Sequence, residues 1–365
     1  MAVKKVFVLA GEASGDILGA EWIRAAQALS PNLSFTYCGG PAMREVLDGQ
    51  RPVVPMESMA FMGFAEVLRH LPAIWQNDQH IKAHLKRVSP DIILFVDYPG
   101  YNLRLAEWIR RGNLASKTPR MLQLVCPQFW AWKAKRLPRI VHAYDAVYPL
   151  LPFESNLLQI AGGVAPYFGH PAAHRVEAAV PNPQGPLALL PGSREQEWSQ
   201  HVSLFAQVAK EMNRAACWYR PLHVSDADYR RMLSRFGVDG VQANVCTDVP
   251  SMGGVSAALV ASGTATLEVA LRAIPMVVAY RTSGISYAIG KRVIRVPYIS
   301  LVNLILDRPA VKECIQDEAN TENLRLALIH AESEGQSQSL MQDLRQAIDR
   351  GNPMPQMAAH ALASN

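Results

Sequence analysis

The 365 residues contain no C-x-x-C pair, no G-x-x-x-x-G-K-[ST] loop, no uninterrupted membrane-length apolar run, no solenoid-length repeat and no low-complexity block. Each absence removes a class of protein. The five cysteines, Cys38, Cys126, Cys217, Cys246 and Cys314, are odd in number and widely scattered, which predicts a reducing compartment and no zinc site. The most apolar stretch, VSAALVASGTATLEVALRAIPMVVAY, is broken by Glu268, Arg272 and Pro275, so it does not read as a bilayer span. Lys4 and Lys5 precede an apolar run too short for a signal peptide and interrupted by Glu12 and Asp16, which predicts a cytoplasmic protein. Charged residues are scarce at 18% against 49% apolar, leaving room for an apolar surface patch. A net charge of +5 suits phosphate-bearing substrates or an anionic membrane surface and is too mild to indicate nucleic acid.

What is present is a rhythm. VFVLA, SFTYCG, DIILFVD and MLQLVC alternate with helical segments, the pattern of a parallel sheet with crossover helices. GHPAAHRVEAAVPNPQGP, Gly169 to Pro186, is rich in proline and small residues and reads as a linker. The rhythm restarts at LALLPGSREQEW and continues through a Cys217 to His223 strand, SAALVAS and MVVAY. An α/β chain of two such halves is too long for one ordinary core and predicts a ligand cleft between domains 1–172 and 173–340, at the carboxyl ends of their strands.

The opening strand-loop-helix, VFVLAGEASGDILGAEW, has the shape of a phosphate loop but the wrong spacing. Gly11, Gly15 and Gly19 stand four apart and do not make G-x-G-x-x-G. Glu12 and Asp16 would repel a diphosphate, so the loop suits a neutral or hydroxyl-bearing partner; equally, Ser14 caps the helix and the glycines only turn the chain.

Two loops in the second half are better anion candidates. In LALLPGSREQEW, Gly192 lets the backbone approach a ligand, Ser193 is placed as a cap with Gln196 three residues on, and Arg194 stands beside the helix start. In ALVASGTATLEVALRAIP, Ser262, Gly263 and Thr264 suit phosphate oxygens, and Glu268 suits a ribose diol. Each alone also describes an ordinary capped helix. Together they predict a nucleoside-diphosphate domain.

Asp97, closing PDIILFVD, is either a general base toward an acceptor hydroxyl or the cap of a helix beginning near Tyr101. Asp226 and Asp228 have the D-x-D spacing of a divalent-metal site, yet they open DADYRRMLSRF, where acids favour the helix dipole; the helix-start reading is preferred. Phe61, Met62, Phe64, Val67, Leu68 and Leu71, continuing to Trp75, form an apolar stripe with basic flanks that fits a membrane interface or a core helix. Trp130 and Trp132 join Lys133, Lys135, Arg136 and Arg139 in an aromatic and basic cluster suited to a headgroup or a substrate phosphate.

Ten ordered segments, GEASGDILGA, MGFAEVL, VDYPGYN, FWAWKAKR, LLPFE, FGHP, LLPGSRE, ASGTATLE, PMVVAYR and ISLVNLILDR, together resemble the lipid-A-disaccharide synthase family. The resemblance implies the GT-B fold, two Rossmann-like α/β domains facing each other across a cleft. It implies an inverting, metal-independent and cofactor-free glycosyltransferase that joins UDP-2,3-diacylglucosamine to 2,3-diacylglucosamine 1-phosphate and releases UDP at the inner face of the cytoplasmic membrane of Gram-negative bacteria. It further implies Asp97 as the base, Arg194 near the leaving diphosphate, Gly263, Thr264, Glu268 and Asn303 at the nucleotide, and Gly11, Glu12, Ser14 and Asp16 facing the acceptor. MGFAEVL falls at the family's membrane patch. A homodimer is implied, with residues 341–365 packing back on the first domain or crossing to a partner subunit. The sequence departs from the family pattern at Gly100, where an acid is expected, at Lys133, where an arginine is expected, and near Met212 to Gln242, which is shortened.

Two rivals remain at this level. One is another GT-B enzyme, an epimerase or a soluble-acceptor transferase, which would not require the apolar stripe. The other is an inactive nucleotide-binding homologue, against which Asp97 and Arg194 argue.

Overall fold

The computed structural model describes residues 3–59, 71–114, 118–221, 224–240, 245–246, 252–284, 287, 296–335 and 337–363. The chain divides into two compact units, Met1–Pro171 with Arg350–Asn365, and Ala172–Asp349.

The first unit is built on a parallel sheet of β1 (Lys4–Ala10), β2 (Leu33–Cys38), β3 (Ile92–Val96), β4 (Arg120–Leu124) and β5 (Ala146–Tyr148), in the order β2-β1-β3-β4-β5. Every residue of β3 is buried, as a strand covered by helices on both faces requires. Side chains alternate between two cores. Val6, Val8, Ile92 and Leu94 lie on one face with Trp22 and Ile23 of the Ala13–Leu29 helix, and Phe7, Leu9, Ile93 and Phe95 lie on the other with Ile81 and Leu85 of the Leu71–Val88 helix.

The second unit repeats the scheme with β6 (Leu187–Leu190), β7 (Ala216–Tyr219), β8 (Val245–Cys246), β9 (Ala257–Ala261), β10 (Met276–Tyr280) and β11 (Lys312–Ile315), all parallel, in the order β11-β10-β9-β6-β7-β8. Its first contribution to a core comes earlier than expected. Ala172, Ala173 and Val176 are buried against Leu190 and Val278, so much of the supposed linker after Gly169 is packed structure, including a Pro171–Arg175 helix.

The C-terminal segment divides between the two units. The Ser337–Ile348 helix belongs to the second unit, burying Leu340, Leu344 and Ile348 there. The Pro353–Leu362 helix packs on the first unit of its own chain, with Met354, Met357, Ala358 and Ala361 against Trp22 and Ile23. Its carboxyl end faces two cations, as the helix dipole favours. Lys4 Nζ donates to Leu362 O at 3.1 Å and the Arg120 guanidinium donates to Ala363 O at 2.7 Å.

Cys217 is disulfide-bonded; Cys38, Cys126 and Cys314 are free and buried. Asp226 and Asp228 do open a helix, Asp226–Arg235, capped by Ser225 Oγ accepting from Asp228 N at 3.1 Å. Asp226 pairs with Arg230 at 2.8 Å and Asp228 pairs with Arg231. Among the described residues no helix is long and apolar enough to cross a membrane and no group of acids, histidines and cysteines is arranged to hold a metal.

Met357 has no solvent exposure, so Met357→Ala should cost about 2–5 kcal/mol through lost burial and an unfilled cavity. A urea unfolding midpoint unchanged in that variant would mean the final helix does not anchor the first unit in solution.

Candidate active site

In the first unit the loops after β1 and β3 emerge side by side, because Ala10 and Val96 are register partners. β3 ends in two successive left-handed residues, Asp97 at φ 48° and Tyr98 at φ 45°. Neither is glycine, so each carries about 1–3 kcal/mol of backbone strain. Buried amides hold the turn. Asn102 Nδ2 and Gln123 Nε2 donate to the Asp97 carbonyl at 2.7 and 3.1 Å, and Asp97 N donates to Leu124 O at 2.9 Å. The helix that follows is Pro99–Arg110, with Tyr98 rather than Asp97 at its N-cap position. Its side chain is half-buried at the strand end.

Tyr98 explains Gly11. A methyl group on Gly11 would meet the Tyr98 ring at 2.6 Å, and the Tyr98 hydroxyl donates to Met59 O at 2.8 Å. Burial raises the Tyr98 phenol above its ordinary pKa, and the nearby Glu12 carboxylate adds to the rise. Glu12, not Ser14, is the N-cap of Ala13–Leu29, and Ser14 is exposed in its first turn.

Asp16 is turned away from any ligand. It is 1% exposed, and its carboxylate accepts from Gly40 N and Ala42 N at 2.8 Å each and from Met43 N at 3.3 Å. Those amides open the Pro41–Val46 helix, so the acceptor-facing expectation for Asp16 gives way to an anchoring role. Trp130 is likewise tied inward, its Nε1 donating to Glu154 Oε1 at 2.9 Å. Phe61, Met62, Phe64, Val67 and Leu68 lie outside the described residues, as do the side chains of Leu71 and Trp132. The described end of the stripe, Trp75, is 64% exposed. At Gly100, where the family pattern has an acid, an added Cβ would meet no neighbouring atom within 4 Å.

In the second unit β6, β9 and β10 bring their carboxyl ends to one edge. After β6, Gly192 adopts φ +108° and a Cβ there would meet Glu197 Oε2 at 2.3 Å, so the position demands glycine. The cap is one residue later than the sequence spacing suggests. Arg194 is the N-cap of Glu195–Glu211 and Glu197 closes the capping box, its Oε2 accepting from Ser193 N at 2.7 Å and Arg194 N at 3.2 Å. Ser193 and the Arg194 guanidinium stand exposed beside the helix start, where the dipole adds to the cation.

After β9, Gly263 caps Thr264–Leu271 with both Gly263 and Thr264 exposed, and Glu268 is half-buried one turn along the helix. Ser262 Oγ donates to Ile299 O at 2.8 Å, fixing this loop to the next. Asn303 does not point at a ligand. It is 1% exposed; its Nδ2 donates to Val311 O and Glu313 Oε1 at 2.9 Å each, and its Oδ1 accepts from Val311 N at 2.9 Å. Glu313 also accepts from Ser300 N at 2.9 Å and from Ile299 N at 3.0 Å. The nucleotide expectation for Asn303 is therefore corrected to a scaffold beneath the loop that Ser262 touches.

Sequence reasoning passed over Tyr98, Asn102, Gln123, Glu197 and Glu313. Gln123 was the most legible, as the one polar side chain inside the apolar MLQLV run.

The solved structures similar to this chain include a UDP-N-acetylglucosamine 2-epimerase homologue from Listeria monocytogenes, TM-score 0.65 at 14% identity over 100% of this chain and 98% of that one. MurG of Acinetobacter baumannii matches with TM-score 0.56 at 12% identity over 98% and 99%. At such identities the likeness carries the fold alone, and with the two strand-end loop sets it defines a GT-B protein built from two Rossmann-like domains. The family profile described as lipid-A-disaccharide synthetase matches residues 6–365. A lipid-A-disaccharide synthase of Neisseria meningitidis serogroup B is 36% identical over 90% of this chain and 89% of its own length, and one of Coxiella burnetii is 30% identical over 98% of both. The chain belongs to the lipid-A-disaccharide synthetase family of glycosyltransferases.

Gly11→Ala should lower turnover by displacing the Tyr98 ring and with it the Asp97 turn, while leaving UDP affinity within about twofold of wild type; unchanged steady-state turnover would show that the two loops move independently. Glu154 supplies a pH test. Burial pushes its carboxyl up to about 7 from 4.5, partly offset by the Trp130 and Leu151 donors. Because the folded pKa is raised, its contribution to stability is full below about pH 4.5 and is lost as pH rises through 7. Relative to Glu154→Gln, wild type should therefore lose about 3 kcal/mol between pH 4.5 and 8, read from urea unfolding. Parallel pH profiles would refute the assignment.

Proposed function

We propose that the chain transfers 2,3-diacylglucosamine from UDP-2,3-diacylglucosamine to the 6-hydroxyl of 2,3-diacylglucosamine 1-phosphate with inversion, forming a β-1,6 disaccharide 1-phosphate and UDP. The observation that carries the reading is the strained Asp97 turn, held by three hydrogen bonds at a strand end. Strain of that kind persists where the surrounding structure enforces it, and it clusters at functional sites.

One displacement suffices. Asp97 takes the proton of the acceptor 6-hydroxyl as that oxygen attacks C1, and the bond from C1 to the UDP oxygen breaks with its electron pair leaving on the diphosphate. Arg194 neutralises the departing charge. Glu197 already accepts from the Ser193 and Arg194 amides, so the exposed guanidinium is the group of this loop that meets phosphate. Gly263 and Thr264 at their helix start serve the phosphate oxygens, and Glu268 serves the ribose diol.

The acyl chains call for contact with the inner membrane surface. The stripe from Phe61 to Leu71 is the proposed contact, supported by the exposed Trp75 that continues it in sequence and by Lys82 and Lys86 lying 5.1 and 5.6 Å from the Trp108 ring. A homodimer is the proposed assembly, on the family resemblance.

Purified protein given both lipids in detergent micelles should release UDP and form a disaccharide 1-phosphate whose mass is that of donor plus acceptor less UDP, undiminished by EDTA and with the new linkage β by NMR. Arg194→Ala should lower kcat about a hundredfold, the usual cost of removing one transition-state donor. An EDTA-abolished reaction, or an α-linked product, would overturn the mechanism.

A further inference from the structure

Beneath the second unit's loop edge sits a histidine that the reaction above does not use. His201 lies in the Glu195–Glu211 helix and is 1% exposed. Its Nε2 accepts from the backbone N–H of Arg281 at 3.1 Å, and its Nδ1 stands 3.2 Å from Pro191 O. Only one tautomer satisfies both partners. The Arg281 amide can only donate, so Nε2 carries no proton and Nδ1–H donates to the carbonyl.

The two strand ends that His201 joins are not neighbours. β9 lies between β6 and β10, so no strand ladder ties Pro191 to Arg281. The imidazole spans that gap, linking the residue before Gly192 to the residue after β10, on either side of the strand that ends in Ser262 and Gly263. From the other side, Gln316 Oε1 accepts from Thr282 N at 2.8 Å and its Nε2 donates to Thr282 O at 3.1 Å. Arg281 is exposed at its own position, on the same edge as Arg194.

We propose that His201 is a positioning residue: its neutral imidazole sets the Gly192 loop and the Arg281 strand end in mutual register, so that both arginines meet one nucleoside diphosphate. This rests on the nucleotide reading of the edge given above. Burial and, to a lesser extent, the Arg281 cation lower the imidazole pKa to about 4, which keeps the accepting nitrogen available at neutral pH.

The test uses the full chain with UDP as the probe, measured by calorimetry, alongside KM for donor and for acceptor. His201→Phe fills the space and removes both bonds; it should weaken UDP binding and raise donor KM about tenfold, the effect of losing one or two hydrogen bonds, with acceptor KM unchanged. His201→Gln restores an acceptor toward Arg281, and His201→Asn restores a donor toward Pro191. Each should recover part of the loss, and their recovery carries the test if the Phe variant fails to fold. UDP affinity unchanged in the Phe variant, donor and acceptor constants rising together, or no recovery by either amide would overturn the proposal alone. Wild-type protein that does not bind UDP would overturn the nucleotide reading and this inference with it.

Discussion

Everything functional in this chain depends on strand direction. Each unit is an all-parallel sheet, so every strand of a unit opens its carboxyl end at one edge and every helix that follows presents its N-terminus there. Asp97 and Gly11 are adjacent because β3 and β1 are hydrogen-bonded neighbours in register. Gly192 and Gly263 share an edge for the same reason through β6 and β9.

Buried polar side chains beneath the loops at these edges gather their backbone groups. A carboxylate, Asp16, gathers three amides; a second, Glu313, gathers two amides and the Asn303 side chain; two side-chain amides clamp the Asp97 carbonyl. A buried acceptor left without donors costs about 1–3 kcal/mol, and the clamp on Asp97 carries that cost: Asn102 Oδ1 and Gln123 Oε1 are buried with no hydrogen-bond partner among the described residues, while their amide nitrogens hold the Asp97–Tyr98 turn.

How legible this was in the sequence divides along a physical line. IILFV, LALL and AALVA are buried on both faces, and a continuous apolar run between turn residues reads directly as a parallel strand. Gly192 was legible as the glycine that turns the chain after LALL, while the positive φ and the Glu197 contact that exclude a side chain there appear only in the fold. The polar residues were not sortable. Asp97 follows a strand end, Asp16 stands in the first turn of the Ala13–Leu29 helix and Asn303 inside the Leu301–Leu306 helix, and in each place a ligand and a scaffold make the same demand for a short polar side chain. What distinguishes them is a partner far along the chain, such as Gly40 for Asp16. Caps slipped by one or two residues, from Ser193 to Arg194 and from Ser14 to Glu12, because backbone conformation and not side-chain preference decided them. The Pro353–Leu362 helix returned to the first unit through contacts with Trp22 and Ile23, an outcome that local periodicity does not encode.

The central claim is that the Asp97 carboxylate, fixed by its turn, is the base that activates the acceptor hydroxyl. The most direct measurement is kcat for Asp97→Asn with UDP affinity determined on the same preparation. The account predicts a fall of at least about a hundredfold in kcat with UDP binding within twofold of wild type. Turnover at the wild-type rate would take Asp97 out of the chemistry and leave its strained turn without a catalytic purpose.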